Sequence, residues 1–121
     1  MVSLRLHDRD PNSLDTTPLI YELAREYSPY QLPADVYFEA SFEHLRNYSA
    51  MYYTYLWSQA IAADLLTAFG SGLLDAPSTR RYRELILAPG GSKPAADLIA
   101  DFLGRPFTFE AFARSLAPDR P

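Results

Sequence analysis

Ten prolines and five glycines cut this 121-residue chain into short segments, and their placement favours helices of moderate length. Proline fixes φ and lacks an amide proton, so it opens or ends helices and is kept out of central strands. Thr16-Thr17-Pro18 is a helix start, and Leu19, Ile20, Leu23 and Tyr27 follow at helical spacing. That predicts a helix over about residues 18–27. Ser28-Pro29-Tyr30-Gln31-Leu32-Pro33 then reads as an extended connector. From Asn47 onward Tyr48, Met51, Tyr52, Tyr55, Leu56, Ala60, Ala63 and Leu66 fall three or four apart. They predict one long helix to about Phe69, closed by Gly70-Ser71-Gly72.

Pro77 and Ser78 open a further helix carrying Tyr82, Leu85 and Ile86, which stops at Pro89-Gly90-Gly91. Ser92-Lys93-Pro94 restarts the chain, and Leu98, Ile99, Phe102 and Leu103 share a face until Gly104 and Pro106. Thr108 is placed to cap a last helix bearing Ala111, Phe112 and Leu116, with Pro118 to Pro121 as a frayed tail. The expectation is an all-α fold: a bundle of about five helices, no strand, and one domain over residues 1–121.

Composition narrows the function. Apolar residues at 48% and charged residues at 21% suit a folded domain rather than a disordered one. A net charge of −4 gives no basic face for phosphates, which argues against nucleic acid. With no cysteine there is no disulfide, thiolate nucleophile or cysteine metal site. No apolar run of signal-peptide or membrane-span length occurs, so a soluble, cytoplasmic chain is expected.

Zinc-dependent peptide hydrolysis needs His-Glu-x-x-His on one helix face, and the chain has none. Its two histidines, His7 and His44, sit in different segments and form no local chelating pair. No Gly-x-Ser-x-Gly elbow occurs, and Gly90-Gly91-Ser92-Lys93 lacks the spacing of a phosphate loop. His7 reads as a helix-end histidine, Trp57 as a core anchor of the long helix, and Arg80 to Glu84 as a solvated helix face.

The unusual feature is an aromatic concentration: five of nine tyrosines lie between Tyr37 and Tyr55. On a helix, Tyr48, Tyr52 and Tyr55 share a face, with His44 in the turn before them. Phenol and imidazole groups can donate to a carbonyl or an oxyanion, and a well-placed donor of this kind contributes about 3 to 4 kcal/mol. The same spacing equally serves a packed core with hydroxyls reaching solvent or a buried acceptor.

The segment Phe42-Glu43-His44-Leu45, then Tyr48-Ser49-Ala50-Met51-Tyr52-Tyr53-Thr54-Tyr55-Leu56-Trp57-Ser58, resembles a motif of the zinc oligopeptidases that include thimet oligopeptidase, neurolysin and oligopeptidase A. Leu6-His7, the connector helix from Thr17 to Pro33, Tyr82 to Ser92 with its Pro-Gly-Gly-Ser, and Phe102-Leu103-Gly104-Arg105 resemble family segments in the same order. One departure is visible: only Arg46 and Asn47 separate His44-Leu45 from Tyr48, where family members have a longer loop with two adjacent glycines.

The resemblance implies the carboxy-terminal helical, substrate-binding portion of a zincin-type oligopeptidase. It implies that His44, Tyr48, Tyr52 and Tyr55 line the cleft, bind the scissile carbonyl and stabilise the transition state. In that family the zinc ligands and general-base glutamate lie upstream of all these motifs. The chain is therefore expected to hold neither catalytic base nor metal, and to hydrolyse nothing alone. Zinc is expected only in a complementing chain; the expected partner is such a chain bearing the zinc-binding motif, or another copy of this one in a homo-oligomer, with a peptide or small molecule as ligand. Two alternatives stand beside this: a stand-alone small-molecule-binding or recruited helical protein using the tyrosine face, and a remnant without activity of its own.

Overall fold

The computed structural model describes residues 1–70 and 72–117, so the expected tail at Pro118 to Pro121, and Ser71 within the glycine pair, lie outside the described residues. The fold is all-α, with no strand among the described residues. Among the described residues eight α-helices succeed one another: α1 (Val2–His7), α2 (Thr16–Tyr27), α3 (Phe38–Ser41), α4 (His44–Asn47), α5 (Thr54–Leu66), α6 (Ala76–Tyr82), α7 (Ala95–Leu103) and α8 (Glu110–Leu116). The chain divides into two compact units, Met1–Tyr55 and Leu56–Pro121, with the division inside α5.

In the first unit α2 follows its sequence pattern. Asp15 precedes it, Pro18 sits in its first turn, and Leu19, Ile20 and Leu23 are buried. It ends at Ser28, the residue before Pro29, as sterics with a proline ring require. α1 packs on α2 and on the 3₁₀ turn Met51–Tyr53, and the buried Ser3 hydroxyl donates to the Ala50 carbonyl. Two polar pins complete the unit. Glu39 of α3 accepts from the hydroxyls of Thr17 at 2.6 Å and Thr16 at 3.3 Å. Tyr21 donates its hydroxyl proton to the Pro33 carbonyl and accepts from the Val36 amide, which fixes the connector.

The second unit is built on Phe102, which is 0% exposed. Phe69 and Tyr82 pack against its ring, and the Arg81 guanidinium lies 5.4 Å above it while donating to the Phe102 carbonyl. The stretch Arg80 to Glu84 is thus not wholly a solvated face: Tyr82 is half-buried, while Arg81 stays exposed and lies across Phe102. α6 starts one residue before Pro77, with Asp75 accepting from the Ser78 amide as its cap. It runs on into a π-helical turn, Arg83–Leu87, before Pro89 ends it. Gly104, at φ 71°, closes α7 in the left-handed conformation that glycine takes without a Cβ penalty.

Asp64 is a buried charge, 1% exposed, in an otherwise apolar stretch of α5. Its carboxylate accepts from both terminal guanidinium nitrogens of Arg105, at 2.8 and 2.6 Å, and from the Thr108 amide at 2.9 Å. Arg105 holds that carboxyl below the usual carboxylate range. Thr108 therefore spends its amide on Asp64 rather than its hydroxyl on a cap, and α8 starts later, at Glu110.

Two further expectations are revised. The long helix from Asn47 breaks into α4, a 3₁₀ turn and α5, because Ser49 adopts φ 47° and interrupts the helical path. At its far end α5 stops at Leu66, and Thr67, Ala68 and Phe69 continue in tighter three-residue turns. Trp57 is 48% exposed rather than a core anchor, resting against Phe107 and Phe109.

Candidate functional site

The four residues singled out in the sequence come together in the first unit, by a route other than one helix face. His44 opens α4, Tyr48 follows its end, Tyr52 lies in the 3₁₀ turn and Tyr55 in the first turn of α5. The reversal at Ser49 folds this segment back on itself, so three phenol rings close round one imidazole. Tyr48 stacks on His44 with centroids 5.2 Å apart. Tyr52 meets the imidazole edge-on at 4.9 Å, and Tyr55 at 5.5 Å. The left-handed position in this segment is Ser49, at φ 47°, and not Asn47.

The polar centre is a hydrogen bond of 2.8 Å between His44 Nε2 and the Tyr55 hydroxyl. It has two forms. With the proton on Nδ1, Tyr55 donates to Nε2 and its hydrogen is spent. With the proton on Nε2, the imidazole donates to Tyr55, whose hydroxyl hydrogen then points outward to a ligand. The rings are wet: Tyr48, Tyr52 and Tyr55 are 57%, 44% and 51% exposed. The site is thus an open donor surface, suited to bonding a carbonyl, and not a closed pocket.

Phe42 and Phe38 also belong to this cluster. Phe42 packs edge-to-face on Tyr52 at 4.9 Å, and Phe38 packs on Phe42 at 5.2 Å. Their spacing of four residues was a readable sign of a shared face, but α3 ends at Ser41, between them. Tyr53, despite its place in the motif, makes no ring contact with the cluster.

The residues present do not fit a zinc ion. His7 ends α1 with Nδ1 2.6 Å from the Ser3 carbonyl, and His44 is enclosed by its tyrosines. Among the described residues no three His, Cys, Asp or Glu side chains converge as a metal site would need. Nor is any described helix long and apolar enough to cross a membrane.

Residues 1–118 match the model of peptidase family M3. Saccharolysin of Saccharomyces cerevisiae is 39% identical over 79 residues, covering 63% of this chain and 11% of the yeast protein. A probable cytosolic oligopeptidase A of Arabidopsis thaliana is 35% identical, covering 86% of this chain and 16% of the plant protein. A mitochondrial intermediate peptidase of Aspergillus fumigatus is 31% identical, covering 86% of this chain and 14% of the fungal one. The chain belongs to peptidase family M3. It spans between a tenth and a sixth of the length of these relatives.

Proposed function

We propose that this chain is the peptide-binding part of a family M3 metallo-oligopeptidase, in which His44, Tyr48, Tyr52 and Tyr55 hold the carbonyl of a bound peptide and, during hydrolysis, its developing negative charge. The observation that carries the proposal is the 2.8 Å bond between His44 Nε2 and the Tyr55 hydroxyl inside a ring of exposed tyrosines. Each partner orients the other, so the donor presented outward is preset before a ligand arrives. Titrating the chain with a blocked alanine pentapeptide, by calorimetry or amide-shift NMR, tests it. Tyr55→Phe should weaken binding about tenfold, the value of one well-made hydrogen bond. Unchanged affinity overturns the role of the cluster. Binding of a small aromatic compound in place of any peptide would favour the stand-alone binding protein.

The hydrolytic metal, on this reading, is zinc held by a partner chain, and the compartment is the cytoplasm. The apolar surface supports a docked state: Leu56, Leu73, Leu74, Leu87 and Leu116 are all more than half exposed, Leu74 at 97%. Contiguous apolar surface marks interfaces, and the docked state predicts that these leucines are covered by the partner. Light scattering on the purified chain tests this half. A monomer that binds no companion encoded beside it would sink the partner, and a stable homodimer would replace it with self-association.

A further inference from the structure

Beside the His44 cluster the first unit carries an apolar groove made of two adjoining clefts. One, of about 260 Å³, is lined chiefly by Met1, Val2, Ile20, Leu23, Tyr27 and Phe38. The other, of about 180 Å³, is lined by Met1, Val2, Ser3, Phe38, Phe42 and Tyr52. Met1, Val2 and Phe38 form the wall common to both. No charged side chain lines either cleft. Of the serines, Ser3 is spent on the Ala50 carbonyl and Ser28 on the Tyr30 amide. An apolar group entering here gains burial against these side chains.

The groove is continuous with the donor cluster through two rings. Phe42 and Tyr52 wall the smaller cleft, and Tyr52 lies 4.9 Å from His44 and 5.2 Å from Tyr55, ring centre to ring centre. An extended peptide advances about 3.3 Å per residue, so a carbonyl held at His44 and Tyr55 puts a side chain one or two residues away at the cleft mouth. The cleft holds one side chain and is too narrow to seat a helix, whose diameter is about 10 Å.

We propose that this groove is a side-chain subsite that selects a leucine- or phenylalanine-sized apolar residue of the same peptide whose carbonyl the cluster binds. The inference rests on the peptide-binding reading above. Burying such a side chain is worth roughly a tenfold to hundredfold gain in affinity.

The test walks a single Phe through each position of a blocked alanine pentapeptide and titrates the series into the intact chain by calorimetry. One register should bind at least about tenfold tighter than all-alanine, and Asp at that position should lose the gain. Two groove variants then report on location: Phe38→Asp, which puts a charge in the common wall, and Ala24→Trp, which fills the larger cleft from α2. In both, the advantage of Phe over Ala should shrink to under about threefold. In Tyr55→Phe all the peptides should weaken by one common factor, with the Phe advantage kept. A Phe advantage that is equal in every register, or that survives both groove variants, overturns the subsite and leaves the groove as a seat for another protein. Peptide binding that ignores Tyr55 overturns the cluster reading instead, and binding of no peptide at all overturns both.

Discussion

The two units solve the problem of holding short helices together in different ways. The first buries three aliphatic side chains of α2, ties its loops with the hydroxyls of Tyr21, Thr16 and Thr17, and leaves its aromatic rings at the surface. The second packs Phe69 and Tyr82 round the buried Phe102, leaves Trp57 and Phe109 exposed, and adds a buried carboxylate bridged to Arg105. A buried aromatic ring centres one unit, and exposed tyrosines form an open, polar surface on the other. At the centre of each use the residues differ: three tyrosines with exposed rings surround His44 in the first unit, while the second buries a phenylalanine.

Substitutions that break this contrast should differ in size. The largest effect is expected from Phe102→Ala, which empties the centre of the second unit and should destabilise it by about 4 kcal/mol in urea unfolding. Asp64→Asn follows at about 3 kcal/mol, since it strips a buried carboxylate of its charge and strands the Arg105 and Thr108 donors. Hydrogen exchange should show the loss in α7 and α8. Both units also carry a carboxylate held below its ordinary range. For Asp64 the Arg105 bond is the main cause. For Glu39 burial alone would raise the value, but bonds from Thr17, its own backbone and Thr16 prevail. A lowered native pKa stabilises the fold above the unfolded value of about 4 and is lost as pH falls through the native one. Urea midpoints should therefore drop below about pH 4, and Asp64→Asn should flatten that drop more than Glu39→Gln.

How much of this was readable in the chain differs along the same line. α2 and α7 were legible because a clean apolar stripe lies between strong breakers, Pro18 and Pro29 for one, Pro94 and Gly104 for the other. The identities of His44, Tyr48, Tyr52 and Tyr55 were legible as a cluster, but their geometry was not. A serine gives no warning that it will take a left-handed φ, so residues 47–53 looked like the start of a long helix. Asp64 is an acid in an apolar run, and its partner is 41 residues away, beyond any local pattern. Arg105 was visible inside Phe-Leu-Gly-Arg without any hint of what it holds. Trp57 was misjudged because size and helical position suggest burial, while α5 is apolar on every side and cannot bury all of them in this chain.

The smallest expected effects separate surface rings that belong to the site from those that do not. Tyr52, Tyr53 and Tyr55 are similarly exposed, at 44%, 53% and 51%, so exposure cannot tell them apart. Geometry can: Tyr52 and Tyr55 contact His44, while Tyr53 lies outside the cluster. Tyr53→Phe removes a hydroxyl that bonds neither ring nor imidazole, and stability should move by less than about 0.5 kcal/mol. Peptide affinity should not move at all. If Tyr53→Phe weakened a blocked pentapeptide as much as Tyr55→Phe does, the donor surface would have to extend round both sides of the turn. The 2.8 Å bond to His44 would then be an ordinary structural contact rather than the device that presets the donor.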